Sequence, residues 1–409
     1  MFRSGLASLL LLLLLFVFPA FVCGASQVLA GDPQESAGAA ENTGAVRLAL
    51  PPEIPAVVGL ETNLYFDNAV LVLNPANYAF DVICAKGRQQ VDRWTLTPLA
   101  ADVGVHDLTL EVRDQSHTVV ARGKTRLRVV PADAGADASL SLLLIGDSLT
   151  HASVYPQHLL QLCDSPGNPR VTLLGTHGPG ETLGAVRHEG YGGWTARRFA
   201  THFTGTARAG DYRQRGSPFL YADADGKPQL DFRRYCMETN GGQLPDVVAV
   251  FLGPNDVFGL DESGLEAGIQ QIIGDFDVLF SMVRSAGPEV DFAVLLPVPP
   301  AATQDAFGAN YGSGQTRWQY RRNQHRLLEC LLERFAGRES EHVHVVPTHL
   351  NLDCVHNYPA VTEPANLRSS VQLRRLNNGV HPAAEGYLQI GDSLYAWLKA
   401  MSRSQSAAP

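Results

Sequence analysis

The sequence carries little charge and has no run of basic residues. Only 18% of its 409 residues are charged, and 32 Lys and Arg against 41 Asp and Glu leave a formal net charge of −9. A protein that binds nucleic acid normally presents a basic patch or stripe, so a nucleic-acid partner is not favoured. Apolar residues make up 45% of the chain, which is enough for a sizeable core and argues against global disorder.

Cysteine is scarce, and patterns of metal ligands are absent. The chain has six cysteines, and none lies in a CxxC pair or at a Cys/His spacing typical of a zinc site. The sequence therefore implies no metal and no other cofactor.

The most prominent apolar run, residues 9–22, lies at the N-terminus. It follows Arg3 and precedes several small residues, which is the pattern of a secretion signal. Residues 1–30 are therefore predicted to be a cleaved signal peptide, and the mature chain is predicted to be secreted or periplasmic without stable membrane insertion. An uncleaved membrane anchor and a lipid on Cys23 are the less favoured alternatives.

Export would place the mature chain in an oxidising compartment, where disulfides persist. Cleavage removes Cys23 and leaves five cysteines, an odd number, so at least one thiol has no partner within the chain. The remaining cysteines are Cys84, Cys163, Cys236, Cys330 and Cys354.

A change of pattern divides the rest of the chain into two parts, as the length leads one to expect. Residues 31–45 are small and polar and predict a flexible linker. In residues 46–131, short strand-like segments alternate with turn residues, which predicts a small all-β sandwich. The candidate strands cover 56–58, 69–72, 80–84, 108–113, 119–122 and 127–130. The stretch GVHDLTLEV, residues 104–112, resembles strands of bacterial immunoglobulin-like modules; the favoured interpretation is a spacer or lid packed on the second part, and the alternative is a glycan-binding module.

The second part, residues 139–403, follows a linker of small residues at 131–138. Apolar strands now alternate with longer helical segments, which predicts an α/β fold with a parallel, doubly wound sheet of five strands. The predicted strands cover 140–145, 170–175, 246–252, 291–297 and 342–347. The predicted helices cover 153–163, 195–202, 263–285, 316–336 and 383–401. Three insertions, 205–242, 299–315 and 350–379, are predicted to wall the active-site face.

The candidate chemistry is centred on SLLLIGDSLTH, residues 141–151. An apolar run predicts a buried strand that stops at Gly146, so Ser148 would lie on the turn from this strand to the next helix. Open α/β sheets place their chemistry at the carboxyl ends of such strands. Ser148 is therefore a candidate nucleophile, with Asp147 holding the turn, although a lone serine there is more often a helix cap.

Three later stretches supply partners for this serine. In HEGYGGWT, residues 188–195, paired glycines allow a ligand to approach the backbone closely, and the following helix points its free N–H groups at an anion. In VVAVFLGPND, residues 247–256, the side-chain amide of Asn255 can donate a hydrogen bond to an oxyanion. In NNGVHP, residues 377–382, His381 lies at a loop-to-helix junction that suits a base facing a cleft.

Together the blocks GDSLT, GYGGWT, GPND and NGVHP resemble the SGNH, or GDSL, hydrolases, a family of esterases and lipases, over roughly residues 139–402. The resemblance implies a flavodoxin-like doubly wound five-stranded parallel sheet and a serine esterase mechanism. Carried over block by block, it implies that Ser148 is the nucleophile and His381 the general base. The backbone N–H groups of Ser148 and Gly193 and the side-chain amide of Asn255 would form the oxyanion hole. A second GDSL, residues 391–394, lies inside the last predicted helix and is interpreted as structural.

One position departs from the family pattern. The last block is usually DxxH, and this chain has Asn378 three residues before His381. An amide can accept the Nδ1 hydrogen of the imidazole but cannot balance its charge. Three interpretations stay open: a Ser–His pair oriented by Asn378 or by a backbone carbonyl, a second carboxylate such as Asp353 reaching His381, or an enzyme of low or no activity.

The 205–242 insertion and the EGYxGWT form of the glycine block resemble exported SGNH esterases that deacetylate carbohydrates. The predicted substrate is therefore a small-acyl, acetyl-type ester on a polysaccharide or smaller molecule. A lipase or lysophospholipase with the same catalytic set and a non-catalytic glycan-binding protein are the alternatives. Aromatic residues near the cleft would either stack on sugars or pack the insertion, namely Trp194, Tyr191, Phe219, Tyr221 and Tyr311.

Overall fold

The structure is a computed structural model that describes residues 41–42, 46–180, 182–205 and 215–406. The predicted signal peptide and most of the first predicted linker lie outside the described residues. All described residues belong to one compact unit, Ala37–Pro409. Within them, every helix is too short or too polar to cross a lipid bilayer.

The N-terminal part is built almost entirely of strands. Its elements are β1 (Glu41–Asn42), β2 (Arg47–Leu48), β3 (Glu53–Val57), β4 (Thr62–Tyr65), α1 (Phe66–Ala69), β5 (Val70–Leu71), β6 (Ala79–Cys84), β7 (Arg88–Gln89), β8 (Arg93–Leu96), β9 (Gly104–Arg113) and β10 (Val119–Val130). The largest sheet has the order β1-β10-β9-β6, with β3 also paired to β10, while β4, β8 and β7 form a second sheet and β2 and β5 a third. A hydrophobic cluster around Leu64, Trp94 and Leu110 fills the space among these strands.

Three predictions for this part need correction. The segments 119–122 and 127–130 are one continuous strand, β10. The short strands β2, β4, β7 and β8 were not predicted. Two residues of the predicted linker, Glu41 and Asn42, form a strand that pairs with β10.

The second part alternates strands and helices as predicted. Its elements are β11 (Ser139–Gly146), α2 (Ser148–His151), α3 (Val154–Cys163), β12 (Arg170–Leu174), β13 (Glu189–Gly190), α4 (Ala196–Thr201), β14 (Leu220–Ala222), β15 (Pro228–Leu230), α5 (Phe232–Thr239), β16 (Val247–Phe251), α6 (Pro254–Val257), α7 (Leu265–Ala286), β17 (Asp291–Leu295), α8 (Gln304–Tyr311), α9 (Arg317–Phe335), β18 (Val343–Val346), β19 (Ala360–Pro364), β20 (Gln372–Leu376) and α10 (Ala384–Ser406).

The five predicted strands form one parallel sheet in the order β12-β11-β16-β17-β18. The short strand β13 also pairs with β11 in parallel, so the sheet has six strands rather than five. The order reverses at β11, because β12 lies on one side of it and β16 on the other. Such a reversal opens a crevice at the carboxyl ends of the strands, and Gly146, the last residue of β11, lies there.

A buried arginine joins the two parts of this unit. Arg321 of α9 is 2% exposed, and its guanidinium donates to the backbone carbonyls of Asp67, Asn68 (3.4 Å) and Val70 (3.1 Å) around α1. The Asn68 amide in turn donates to two carbonyls after β18, those of His349 and Leu352, at 2.8 Å each. The N-terminal part is therefore held by buried polar contacts on the helical layer and on the chain that follows the last sheet strand.

The five cysteines of the described residues are all unpaired. Burial raises the pKa of Cys163 and Cys236 to about 11. A thiol reacts as the thiolate, and the raised pKa keeps these two cysteines in the less reactive protonated form.

Candidate active site

Ser148 begins α2, directly after β11 ends at the carboxyl edge of the sheet. Asp147 is the N-cap residue, and its Oδ1 accepts the backbone N–H of Leu149 at 2.9 Å. Leu149 is fully buried while Ser148 stays partly exposed. The turn is thus fixed from the core side, and the predicted position of Ser148 on a strand-to-helix turn is confirmed.

Ser148 and His381 lie in direct contact although 233 positions separate them. Nε2 of His381 is 2.8 Å from Oγ of Ser148. Burial lowers the pKa of His381 below its ordinary 6.5, because the charged imidazolium is poorly solvated there. The ring is then neutral near pH 7 and accepts the serine proton, which is the geometry and charge state that a general base needs.

The loop that carries His381 is held by contacts on its backbone. The Oδ1 atom of Asn378 accepts the N–H groups of Val380 (3.1 Å) and His381 (2.9 Å). The N–H of Gly379 donates to the Asn310 side chain at 3.1 Å. The Asn378 side chain therefore closes an Asx turn. It makes no hydrogen bond to the imidazole, so the interpretation in which Asn378 orients the ring is not supported.

Asp353, the other candidate for orienting the imidazole, faces a different histidine. Its Oδ2 lies 2.9 Å from Nδ1 of His356, and its Oδ1 accepts the backbone N–H groups of Val355 and His356. The alternative in which Asp353 reaches His381 is not supported, because both carboxylate oxygens of Asp353 bind within its own turn. Across the described ranges, no hydrogen bond is made to Nδ1 of His381.

Gly193 lies in a tight turn with φ of +78°, a conformation that favours glycine. The turn is closed by a bond of 3.1 Å from the N–H of Trp194 to the carbonyl of Tyr191. A Cβ atom on Gly193 would meet nothing within 4 Å, so the residue borders open space. Its N–H makes no hydrogen bond to any described residue, nor does that of Ser148 at the start of α2. Both groups are free to donate to a developing oxyanion.

Asn255 ties the glycine block to the nucleophile turn. Its Nδ2 donates to the carbonyl of Trp194 (3.1 Å) and to Oδ2 of Asp147 (3.2 Å). Burial, with a smaller effect of the charge on Asp256, raises the pKa of Asp147 to about 7. Since both amide hydrogens of Asn255 are engaged, the predicted donation to an oxyanion requires one of these bonds to be exchanged when substrate binds.

Sequence reasoning assigned no role to Glu189, whose buried carboxylate holds the glycine block in place. The residue is fully buried in β13, and its carboxylate accepts the N–H (2.8 Å) and Oγ1 hydrogen (3.1 Å) of Thr176 and the hydroxyl of Tyr235 (2.7 Å). The hydroxyl of Tyr191 donates to it as well. The available signal was a carboxylate directly before the first glycine of the block, with three tyrosine or threonine hydroxyls in the chain to bind it.

His188, the neighbour of Glu189, was missed in the same way. Its Nδ1 accepts the N–H of Gly190 at 3.0 Å, so the ring hydrogen sits on Nε2 and donates to Ser153 at 2.9 Å. Burial lowers the pKa of His188 to about 3, which keeps the ring neutral. The residue therefore joins the glycine block to the segment that follows α2.

Most of the aromatic residues proposed as sugar-stacking faces are inside the protein. Tyr191, Trp194, Phe219 and Tyr221 are between 0% and 5% exposed, so they pack the insertion and present no ring face to a ligand. Tyr311 is half-buried against Phe258. The packing interpretation is confirmed for the first four.

The second GDSL copy is structural, as predicted. Ser393 lies in α10, where its hydroxyl donates to the carbonyl of Gln389 at 3.0 Å. No cluster of three or more His, Cys, Asp or Glu residues in the described part of the chain has an arrangement that could hold a metal ion.

No protein-family profile matches the chain, and no curated protein matches it significantly. Solved structures do match. The family 3 carbohydrate esterase of Clostridium thermocellum is 15% identical over 66% of this chain and 100% of its own, with a TM-score of 0.38. The carbohydrate esterase family 3 structure from Talaromyces cellulolyticus is 15% identical over 65% of this chain and 99% of its own, with a TM-score of 0.36. A structure described as a possible lipase from Chitinophaga pinensis is 15% identical over 64% of this chain and 99% of its own, with a TM-score of 0.33.

Proposed function

We propose that this protein is an exported serine esterase that hydrolyses small-acyl esters, with carbohydrate as the alcohol. The observation that carries the proposal is the contact of 2.8 Å between Nε2 of His381 and Oγ of Ser148, made where the order of the parallel sheet reverses. The exposed, unengaged N–H of Gly193 belongs to a turn that the Asn255 amide ties to the nucleophile turn. A flavodoxin-like doubly wound sheet is the arrangement that this proposal implies.

The proposed reaction has two halves. His381 takes the proton of Ser148 as Oγ attacks the ester carbonyl, and the N–H groups of Ser148 and Gly193 stabilise the oxyanion. The imidazolium returns the proton to the leaving alcohol, and an acyl-serine remains. Water then attacks the acyl-serine with His381 again as the base, which releases the acid and restores the serine. Each oxyanion donor is typically worth about 3 kcal/mol of barrier.

The proposed catalytic unit is a Ser148–His381 pair rather than a triad, because neither Asn378 nor Asp353 touches the imidazole. In a serine protease, exchange of the orienting Asp for Asn lowers turnover by about 10⁴. We therefore expect a modest turnover number. The backbone contacts on the histidine loop take over part of the positioning.

The proposal is tested by hydrolysis of p-nitrophenyl acetate by the mature chain beside Ser148→Ala, and by labelling with a fluorophosphonate. We expect hydrolysis by the parent, its loss in Ser148→Ala, and a single label at Ser148. No hydrolysis and no label in a folded parent would leave the glycan-binding alternative. Faster hydrolysis of decanoyl than of acetyl esters would replace the small-acyl assignment by the lipase.

Export is part of the same proposal, supported by the apolar N-terminal run. Expression of the full chain with its native N-terminus should give a mature protein that begins near residue 25 or 31 in the periplasmic or culture fraction. Recovery of an unprocessed chain in the cytosol would contradict it.

A further inference from the structure

A groove of about 670 Å³ lies next to the loop that carries His381. Pockets of about 300–1,000 Å³ are the size that holds a drug-sized ligand, so this groove has room for a short oligosaccharide. One wall is α8 and the other is the β19–β20 hairpin. The lining residues are Gln304, Asp305, Gly308, Ala309, Gly312, Val361, Glu363, Arg375, Leu376 and Asn377.

The strand register explains why the hairpin wall carries charge. In the antiparallel pair, Val361 lies opposite Arg375 and Glu363 lies opposite Leu373. Because side chains alternate between the faces of a strand, Val361, Glu363 and Arg375 share one face, while Thr362 belongs to the other.

Two ion pairs link the charged groups of the groove. Nη1 of Arg375 lies 3.0 Å from Oδ1 of Asp305, and Nε of Arg375 lies 3.0 Å from Oε1 of Glu363. Each carboxylate has a second oxygen that these two ion pairs leave as an acceptor. The side-chain amides of Gln304 and Asn377 add donors and acceptors to the lining. Sugar hydroxyls donate and accept hydrogen bonds, so neighbouring hydroxyls match such an array.

The charge balance of the array selects among sugars. Two carboxylates face one guanidinium, so the groove has an excess negative charge that repels carboxylated or sulfated sugars. Small residues on α8, Gly308 and Ala309, leave the opposite wall open. A neutral oligosaccharide satisfies both conditions.

The groove is connected to the catalytic loop by direct contacts. Asn377 lines the groove and is followed at once by Asn378 and Gly379. The ring of Phe307, on α8, would lie 2.9 Å from a Cβ atom on Gly379, and Asn310 of the same helix accepts the Gly379 N–H. Asn377 and α8 therefore connect the groove to the loop that presents the general base.

We propose that this groove is the binding site for the carbohydrate alcohol of the ester, and that it takes neutral, hydroxyl-rich oligosaccharides. The inference rests on the proposed esterase function. It concerns the sugar of the substrate beyond the oxygen that carries the acyl group. Glu363, Asp305 and Arg375 determine its specificity by binding hydroxyl groups.

The first test is direct binding to the Ser148→Ala protein, which removes catalysis. Calorimetry is carried out with a neutral panel of cellotriose, mannotriose and chitotriose, and with trigalacturonate as the acidic comparison. We expect at least one neutral trisaccharide to bind and trigalacturonate not to bind. Added Glu363→Ala should weaken binding roughly 10-fold or more, since a hydrogen bond to a charged group is lost.

A second variant blocks the groove without removing a polar group. A Cβ atom on Gly308 would meet nothing within 4 Å, so Gly308→Phe is tolerated by the fold and fills the space with its ring; it should abolish binding. Thr362→Ala, on the other hairpin face, is the matched control and should leave binding as it was.

The outcomes separate this inference from the esterase proposal. Binding that is lost in Gly308→Phe supports the groove even if p-nitrophenyl acetate is not hydrolysed, in which case the esterase proposal falls. Hydrolysis of p-nitrophenyl acetate without binding of any neutral trisaccharide overturns the groove and leaves the esterase. Equal weakening by Thr362→Ala and Glu363→Ala also overturns it.

Discussion

At the scale of the single residue, the burial of His381 sets the pH range of activity. The imidazole must be neutral to take the Ser148 proton, and its pKa is lowered below 6.5. Lowering the pH protonates the ring only once the pH passes this lowered value. We therefore expect kcat/KM for p-nitrophenyl acetate to be level near pH 8 and to fall to half only below pH 6.5. A midpoint above pH 7 would contradict the neutral, desolvated imidazole.

Substitutions of Asn378 show whether its side chain holds the backbone of the histidine loop or orients the imidazole ring. Its oxygen accepts two backbone N–H groups, and a carboxylate at the same place accepts them as well. Asn378→Asp should therefore keep turnover within a few-fold of the parent. Asn378→Ala loses both bonds and should lower the free energy of unfolding by about 1 kcal/mol, measured by urea unfolding, with the pH midpoint unchanged. A rise of 10-fold or more in Asn378→Asp would mean that the side chain faces the ring.

Residue-level roles were the hardest to predict from the sequence. The Ser148–His381 pair could be predicted only because the four sequence blocks resemble those of a known hydrolase family; His381 lies in a loop, where sheet topology alone does not place it. The partners of Asn378 and Asp353 depend on how each side chain is oriented within its loop. Asn378 binds a backbone N–H, and Asp353 binds a nearby histidine.

At the scale of the element, close packing between β11, β13 and α2 fixes the crevice. A Cβ atom on Gly190 would lie 2.6 Å from Cβ and Cγ2 of Thr150, so Gly190→Ala forces α2 away from the sheet. We expect a loss of about 1–3 kcal/mol in the free energy of unfolding and reduced turnover, since α2 carries Ser148.

Gly274 provides the matched control for that exchange. It lies in α7, is exposed, and has open space where a Cβ would be. Gly274→Ala should stabilise the protein by roughly 0.8–1 kcal/mol through helix propensity. If both exchanges destabilise equally in urea unfolding, steric overlap at Gly190 is not the cause.

Glycine also explains where element prediction failed. The predicted strands 119–122 and 127–130 left out residues 123–126 of β10, which begin with Gly123. A Cβ there would lie 2.6 Å from Cδ2 of Leu48, so the strand continues and glycine makes room for a side chain from β2. The strand β4 was missed because Thr62 and Asn63 are buried polar residues. The backbone N–H and the side-chain amide of Asn63 both donate to Oδ1 of Asn351, 288 positions away.

At the scale of the whole molecule, Arg321 links the N-terminal part to α9. Arg321→Met should lower the free energy of unfolding by about 1–3 kcal/mol or more, because buried backbone carbonyls are left without their donor. Arg334→Met, which breaks a surface ion pair with Asp277, should cost no more than about 1 kcal/mol. Urea unfolding of both variants measures the contrast; similar midpoints would mean that the buried arginine does not hold the two parts together.

The α/β alternation was predictable because buried parallel strands and amphipathic helices leave different apolar periods in the sequence. The docking of the N-terminal part could not be predicted, because it depends on an arginine and two asparagines, residue types that usually lie at the protein surface. Its division from the second part at residues 131–138 stays a prediction.

The docking contacts can form only late in the synthesis of the chain. Asp67 is made early, but Arg321, which binds its carbonyl, follows 254 positions later. At about 5–20 residues per second, the strands of the N-terminal part wait roughly 12–50 s for the helix that covers them. During that interval the α1 carbonyls and the Asn68 amide have only water or a chaperone as partners. The N-terminal part of the nascent chain therefore stays open to proteolysis and misassembly until synthesis has entered the last quarter of the sequence.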